Sequence, residues 1–226
     1  MQRGDVPAMI KISEIFGPVI QGEGMHIGVP TVFVRCGGCD YRCSWCDTMY
    51  AVDKKFSSEW RSLTNDEVET EIYRCSPTPI LVTLSGGNPA LFDFSAVIKA
   101  VQEHGYKVTI ETQGSVPRCW FTLLDSMTIS PKPPSSGMKT DFGKLSRCMD
   151  GLTPDRIALK IVVADDDDYD YARHVADLFP LLRCYLQVCN PNPHANLSAD
   201  TLLIKLAWLS EKVLADKWFT ATVLPQ

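Results

Sequence analysis

A parallel α/β sheet is the fold class this sequence predicts, and three observations support it. Short apolar runs of strand length recur along the chain. Stretches with helical periodicity fall between them, the alternation of a sheet covered by helices. No internal repeat, Gly/Ser linker or shift in composition marks a boundary, so residues 1–226 are expected to form a single domain.

The elements follow in order. "MIKISEIF" and "TVFVRC" read as the first strands, and "PILVTLS", "KVTIET", "SMTIS", "RIALKIVV", "RCYLQVC" and "WFTATVL" as the later ones. "TNDEVETEIYRC" opens with Thr64 and Glu67 at capping-box spacing, which predicts a helix start. "DFSAVIKAVQEHG" sets Phe94, Val97, Ile98 and Val101 on one helical face before Gly105. A helix is expected after the acidic run Asp165 to Asp168, which reads as a solvated turn with carboxylates near a helix's positive end. "LSADTLLIKLAWLSEKVLAD" supplies another. Right-handed crossovers would gather the strand C-terminal ends, and the chemistry, at one edge.

Composition limits what the chain can do. A hydrophobic share of 45% with 22% charged residues suits a globular core, and the net charge of -5 offers no polybasic patch for nucleic acid. A small-molecule substrate is expected instead. No apolar stretch reaches the roughly 20 residues that span a bilayer, and the N-terminus has no signal-peptide core, so a cytoplasmic location without membrane contact is expected.

Nine cysteines, an odd number at uneven spacing, make a poor disulfide framework. Cys36, three residues before Cys39, could offer a fourth thiolate, but it ends an apolar run and reads first as packing, as do Cys75, Cys119, Cys148, Cys184 and Cys189 among their apolar neighbours. The remaining three sit together in "GCDYRCSWCDT", where Cys39, Cys43 and Cys46 have C-x3-C-x2-C spacing. Structural zinc wants four ligands, usually from two spaced pairs, and there is no second pair. A [4Fe-4S] cluster held by three thiolates leaves one iron open for chemistry.

That spacing, with Trp45 before the last cysteine, resembles the radical S-adenosylmethionine superfamily. "TLSGGNPAL" resembles its glycine-rich loop. With "FGPVIQGEGMHIGVPTVFVR", "ETQGS", "TISPKPPSSGM" and "LKIVV", the likeness narrows to the deazapurine-forming branch and covers nearly the whole chain. The resemblance implies a partial, open TIM-like barrel. It also implies the conversion of 6-carboxy-5,6,7,8-tetrahydropterin to 7-carboxy-7-deazaguanine with loss of ammonia, in queuosine and deazapurine biosynthesis. S-adenosylmethionine on the open iron would yield the adenosyl radical that starts this conversion. Mg2+, an electron donor such as flavodoxin or ferredoxin, and a homodimer are implied as well.

The same resemblance implies residue roles. Ile20, Gln21, Gly22, Arg35 and Ser85 would bind the pterin, with Arg35 suited to gripping a carboxylate. Trp45, Cys46, Asp47 and Gly87 would lie along S-adenosylmethionine, joined by Gln113, Ser130, Pro131, Lys132, Gln187 and Asn190. Cys39, Cys43 and Cys46 would hold the cluster, and Thr48 would offer Mg2+ a hydroxyl oxygen. Glu111 and Gln113 would reach the reacting substrate. Family members continue past "TVLPQ" with a tryptophan-containing tail that helps close the substrate site, so weaker substrate affinity is expected if it is missing. Two other functions fit the cysteine loop: an activase that puts a glycyl radical on a partner protein, and a non-catalytic zinc- or cluster-binding redox module.

Overall fold

The computed structural model describes residues 9–191 and 199–225. Nine strands run through it: β1 (Ile10–Ile20), β2 (Pro30–Cys36), β3 (Arg61–Leu63), β4 (Leu81–Gly86), β5 (Lys107–Thr112), β6 (Ser126–Ile129), β7 (Ile157–Val163), β8 (Arg183–Val188) and β9 (Ala221–Leu224). They form one sheet in the order β3-β1-β2-β4-β5-β6-β7-β8-β9. Its two outer strands do not pair with each other, so the curled sheet stays an open barrel.

From β2 to β9 every pairing is parallel. Strand β1 departs from the expected all-parallel sheet, because it runs antiparallel to both β2 and β3. Only residues 21–29 separate β1 from β2. A parallel return needs a crossover of a dozen or more residues, so this short connection can make only an antiparallel pair. The central parallel strands are buried on both faces, as covered strands must be, and Leu84, Ile110, Ile129, Leu159 and Leu186 have almost no exposed surface.

Helices α1 (Met49–Val52), α2 (Asn65–Cys75), α3 (Ser95–Glu103), α4 (Phe142–Cys148), α5 (Asp166–Leu178) and α6 (Ala199–Ala215) cover the outside. The predicted capping box is complete: Glu67 N donates to Thr64 Oγ1 at 3.3 Å and Thr64 N to Glu67 Oε2 at 2.8 Å. Phe94, Val97, Ile98 and Val101 are buried as the pattern of α3 required. The first two residues of the last predicted helix, 197 and 198, lie outside the described residues. Among those described, no helix is long and apolar enough to cross a membrane.

Two expectations need correction. The acidic run is only partly a solvated turn. Asp165 caps α5 by accepting from Asp168 N, but the Asp168 side chain is itself fully buried. Cys119 is exposed at the surface rather than packed, whereas Cys36, Cys148, Cys184 and Cys189 are buried as expected and Cys75 is half-buried.

Candidate active site

The cysteine loop leaves the C-terminal end of β2 and is held from its root upward. Gly87 N donates to Cys36 O at 3.0 Å and Asn88 N to Gly38 O at 2.8 Å, so the turn after β4 lies against the base of the loop. Gly86 and Gly87 are small because this backbone passes so close. A Cβ on Gly87 would meet the Gly38 carbonyl oxygen at 2.0 Å, and one on Gly86, at φ +110°, would meet Cys36 N at 2.4 Å. Higher up, Asp40 Oδ1 accepts from Asn88 Nδ2 at 2.8 Å and from Gln113 Nε2 at 2.7 Å.

The three thiols line a single cavity of about 380 Å³ at the C-terminal ends of the parallel strands. Among the described residues, no three His, Cys, Asp or Glu side chains converge tightly enough for a single metal ion. Three thiols lining one cavity are a donor set that fits an iron–sulfur cluster. Burial pushes the Cys39 thiol up to about 11, so metal binding there must displace a proton. Gln187 also keeps its Oε1 buried with no hydrogen-bond partner, an acceptor available to a ligand donor.

Most of the sequence-predicted residues meet at this cavity. Trp45, Asp47 and Thr48 line it beside Cys46, with Thr48 Oγ1 at 3.6 Å from Cys46 Sγ. Gln21, Gly22, Arg35 and Ser85 line another part of its wall, and Gly87, Ser130, Lys132 and Gln187 complete the predicted set with Glu111 and Gln113. Three candidates lie elsewhere. Ile20 is 62% exposed, Pro131 is buried away from the cavity, and Asn190 follows the end of β8 without lining it.

Local contacts refine several of these positions. Arg35 pairs with Glu14 at 2.7 Å, and its guanidinium lies 5.6 Å from the Phe16 ring and 5.8 Å from the Tyr50 ring. The fork is therefore preorganised between two aromatic faces. Gln113 is already engaged, because its amide also lies 3.6 Å from Cys39 Sγ and so ties β5 to the cysteine loop. Glu111 accepts from Gln21 Nε2 and Ser85 Oγ, both at 3.1 Å. Burial pushes its carboxyl above the usual range, against the opposing pull of Lys160.

Sequence reasoning missed Glu23 and Lys160, which also line the cavity. The β1–β2 connection crosses the barrel interior, where Glu23 pairs with Lys160 of β7 and accepts from Gln187 Nε2 at 3.0 Å. Gly24 packs on Thr128, and His26 Nε2 lies 2.7 Å from Ser126 Oγ. Lys160 holds Glu23 well below the usual carboxylate range despite burial. Burial opposes the Lys160 charge, but Glu23 and Glu111 outweigh it and hold that amine above the ordinary lysine range. A signal was present: a lysine inside the apolar run "ALKIVV" is rarely buried without a partner.

Comparison with known proteins accords with this geometry. The Radical SAM superfamily profile matches residues 33–128. A 7-carboxy-7-deazaguanine synthase from Bacillus cereus is 41% identical over 223 residues, spanning 96% of this chain and 94% of that protein. The Bacillus subtilis protein of the same name is 42% identical over 227 residues, spanning 96% and 93%. Among solved structures, QueE from Escherichia coli superimposes with a TM-score of 0.71 at 21% identity, covering 96% of this chain and 95% of that one, which supports the fold. By sequence, this chain belongs to the 7-carboxy-7-deazaguanine synthase family of the radical S-adenosylmethionine superfamily.

Proposed function

We propose that this chain converts 6-carboxy-5,6,7,8-tetrahydropterin to 7-carboxy-7-deazaguanine, the product that its relatives' name prints. The conversion loses ammonia and nothing else, so it needs no net oxidant. The observation that supports it most is that the three thiols share one cavity with Arg35, Gln21, Ser85 and Glu111. When bound, a [4Fe-4S] cluster and S-adenosylmethionine supply the adenosyl radical that abstracts hydrogen from the substrate.

The chain's own residues do the rest. Cys39, Cys43 and Cys46 hold the cluster, while Trp45, Asp47, Gly87, Ser130, Lys132 and Gln187 border the S-adenosylmethionine. Gln113 keeps the cysteine loop in place through Asp40. Arg35, stacked and paired, grips the substrate carboxylate, and Gln21, Gly22 and Ser85 read the pterin edge. Thr48 would offer a hydroxyl oxygen to Mg2+, a cation that prefers oxygen ligands. Glu111 faces the substrate as the group that exchanges a proton, and the Glu23–Lys160 pair fixes the charge behind it. A flavodoxin or ferredoxin as electron donor, a homodimer and a cytoplasmic setting complete the proposal.

Anaerobic reconstitution with iron and sulfide tests it directly. Reductant, S-adenosylmethionine, Mg2+ and the carboxytetrahydropterin should give the deazaguanine by mass spectrometry. Absence of product from protein carrying about four irons per chain would refute the assignment.

A further inference from the structure

The cysteine loop is braced on the side away from Gln113 by the loop that follows β6. Tyr41 Oη donates to Lys139 O at 2.9 Å, Ser44 N to Ser136 O at 3.0 Å, and Ser44 Oγ to Ser135 O at 2.7 Å. The indole is tied in as well, because Trp45 Nε1 donates to Ser135 Oγ at 2.9 Å. Ser135 Oγ in turn donates to Asp168 Oδ2 at 2.5 Å, and Ser135 N donates to Asp168 Oδ1 at 2.9 Å. Asp168 is fully buried in the first turn of α5 and also accepts from Ala164 N at 2.9 Å. A carboxylate with three donors and a helix N-terminus behind it is a fixed point.

We propose that Ser135 and Asp168 are positioning residues for the Trp45 indole, and through it for S-adenosylmethionine. The indole borders the cavity with one edge and spends its only donor on Ser135. That bond ties the indole through Ser135 to α5, and neither Ser135 nor Asp168 lines the cavity. The directions of the bonds fix the roles: Trp45 can only donate, Asp168 can only accept, and the serine hydroxyl between them does both. This chain of bonds explains why one carboxylate of an otherwise solvated acidic run is buried. The inference rests on the assignment of Trp45 to the S-adenosylmethionine side of the cavity.

The test compares Ser135→Ala, Ser135→Thr, Trp45→Phe, Trp45→Ala and Asp168→Asn. Ser135→Ala should raise the KM for S-adenosylmethionine about threefold to tenfold, the worth of one hydrogen bond, and leave the KM for the pterin unchanged. Trp45→Phe, which keeps a ring and loses the donor, should match it, and Ser135→Thr should restore the wild-type value. Asp168→Asn should shift the same KM in the same direction. In the cluster-free protein, hydrogen exchange at the amides of residues 42–46 should quicken in Ser135→Ala with no change in β4 or β5. A wild-type S-adenosylmethionine KM in Ser135→Ala, while Trp45→Ala raises it, would overturn the proposal and leave the cofactor assignment standing. An unchanged KM in Trp45→Ala would overturn both. Equal rises in the two KM values with a general fall in Tm would show a purely structural brace and also overturn it.

Discussion

Lys160, in the middle of β7, forms an ion pair with Glu23 of the β1–β2 connection across the interior of the open barrel. The pair holds that connection inside the barrel and places Gln21 within reach of Glu111. Removing Lys160 leaves Glu23 partly buried, near Glu111, without its cation. Lys160→Met should destabilise the cluster-free protein by about 3 kcal/mol, the low end for a broken buried pair. The low end applies because 32% of the Glu23 side chain is open to the cavity. The sign with pH is fixed, since Glu23 is held below its usual 4.5. The pair's stabilisation is fully present above that value and is lost as pH falls toward about 2. Urea unfolding from pH 7 downward should show the wild type losing more stability over that window than Glu23→Gln, and equal slopes would count against the pair.

Glu111 is predicted to control turnover rather than cofactor cleavage. Its two hydrogen-bond donors, Gln21 and Ser85, are cavity residues, and its raised carboxyl keeps its proton to higher pH than an exposed glutamate. Glu111→Gln should lower product formation about a hundredfold or more, the scale of general acid–base catalysis, while 5'-deoxyadenosine still forms. Because Lys160 pulls this carboxyl downward, Lys160→Met should move its limb of the pH–rate profile to higher pH. A shift to lower pH would contradict the assignment.

Much of this arrangement was legible in the sequence because the signals were local. Eight apolar runs gave eight strands, and those in the middle of the sheet, buried on both faces, are the most apolar. Strand β3 gave no signal: it is three residues of an edge strand with Arg61 and Ser62 exposed. The cysteine loop was legible because its three cysteines lie within eight residues. Glu23 and Lys160 stand 137 positions apart, and only the curl of the sheet brings them together. The glycines at the end of β4 match a cofactor loop in the sequence, but the structure gives them another reason, the close approach of the cysteine loop's backbone.

The cysteines should divide sharply into ligands and packing. Cys36 is fully buried among core side chains, and burial raises its thiol far above the usual range. Cys36→Ala should leave iron content and the visible absorbance of the reconstituted protein unchanged, and should cost about 1 kcal/mol as a small cavity. Cys39→Ala, Cys43→Ala and Cys46→Ala should each abolish retained iron. Iron loss from Cys36→Ala would make that residue a ligand and undo the three-cysteine reading.

Gly87→Ala should damage the site through the backbone rather than through lost contact with a ligand. The added methyl would sit 2.0 Å from the Gly38 carbonyl oxygen and 3.0 Å from that of Ala51, and neither belongs to a side chain that can rotate away. The root of the cysteine loop must then move, and overpacking of this kind costs about 1–3 kcal/mol. Iron content per chain should fall in Gly87→Ala even under anaerobic reconstitution. Gly143→Ala is the control, because that glycine lies in helix α4 with its nearest neighbour, Asp141 Oδ1, at 3.3 Å. An alanine there asks the Asp141 cap to give by a few tenths of an ångström, and it should leave iron unchanged. If Gly87→Ala retained full iron and lost only S-adenosylmethionine affinity, the glycine would serve the ligand alone, and the close approach to Gly38 would not be what demands it.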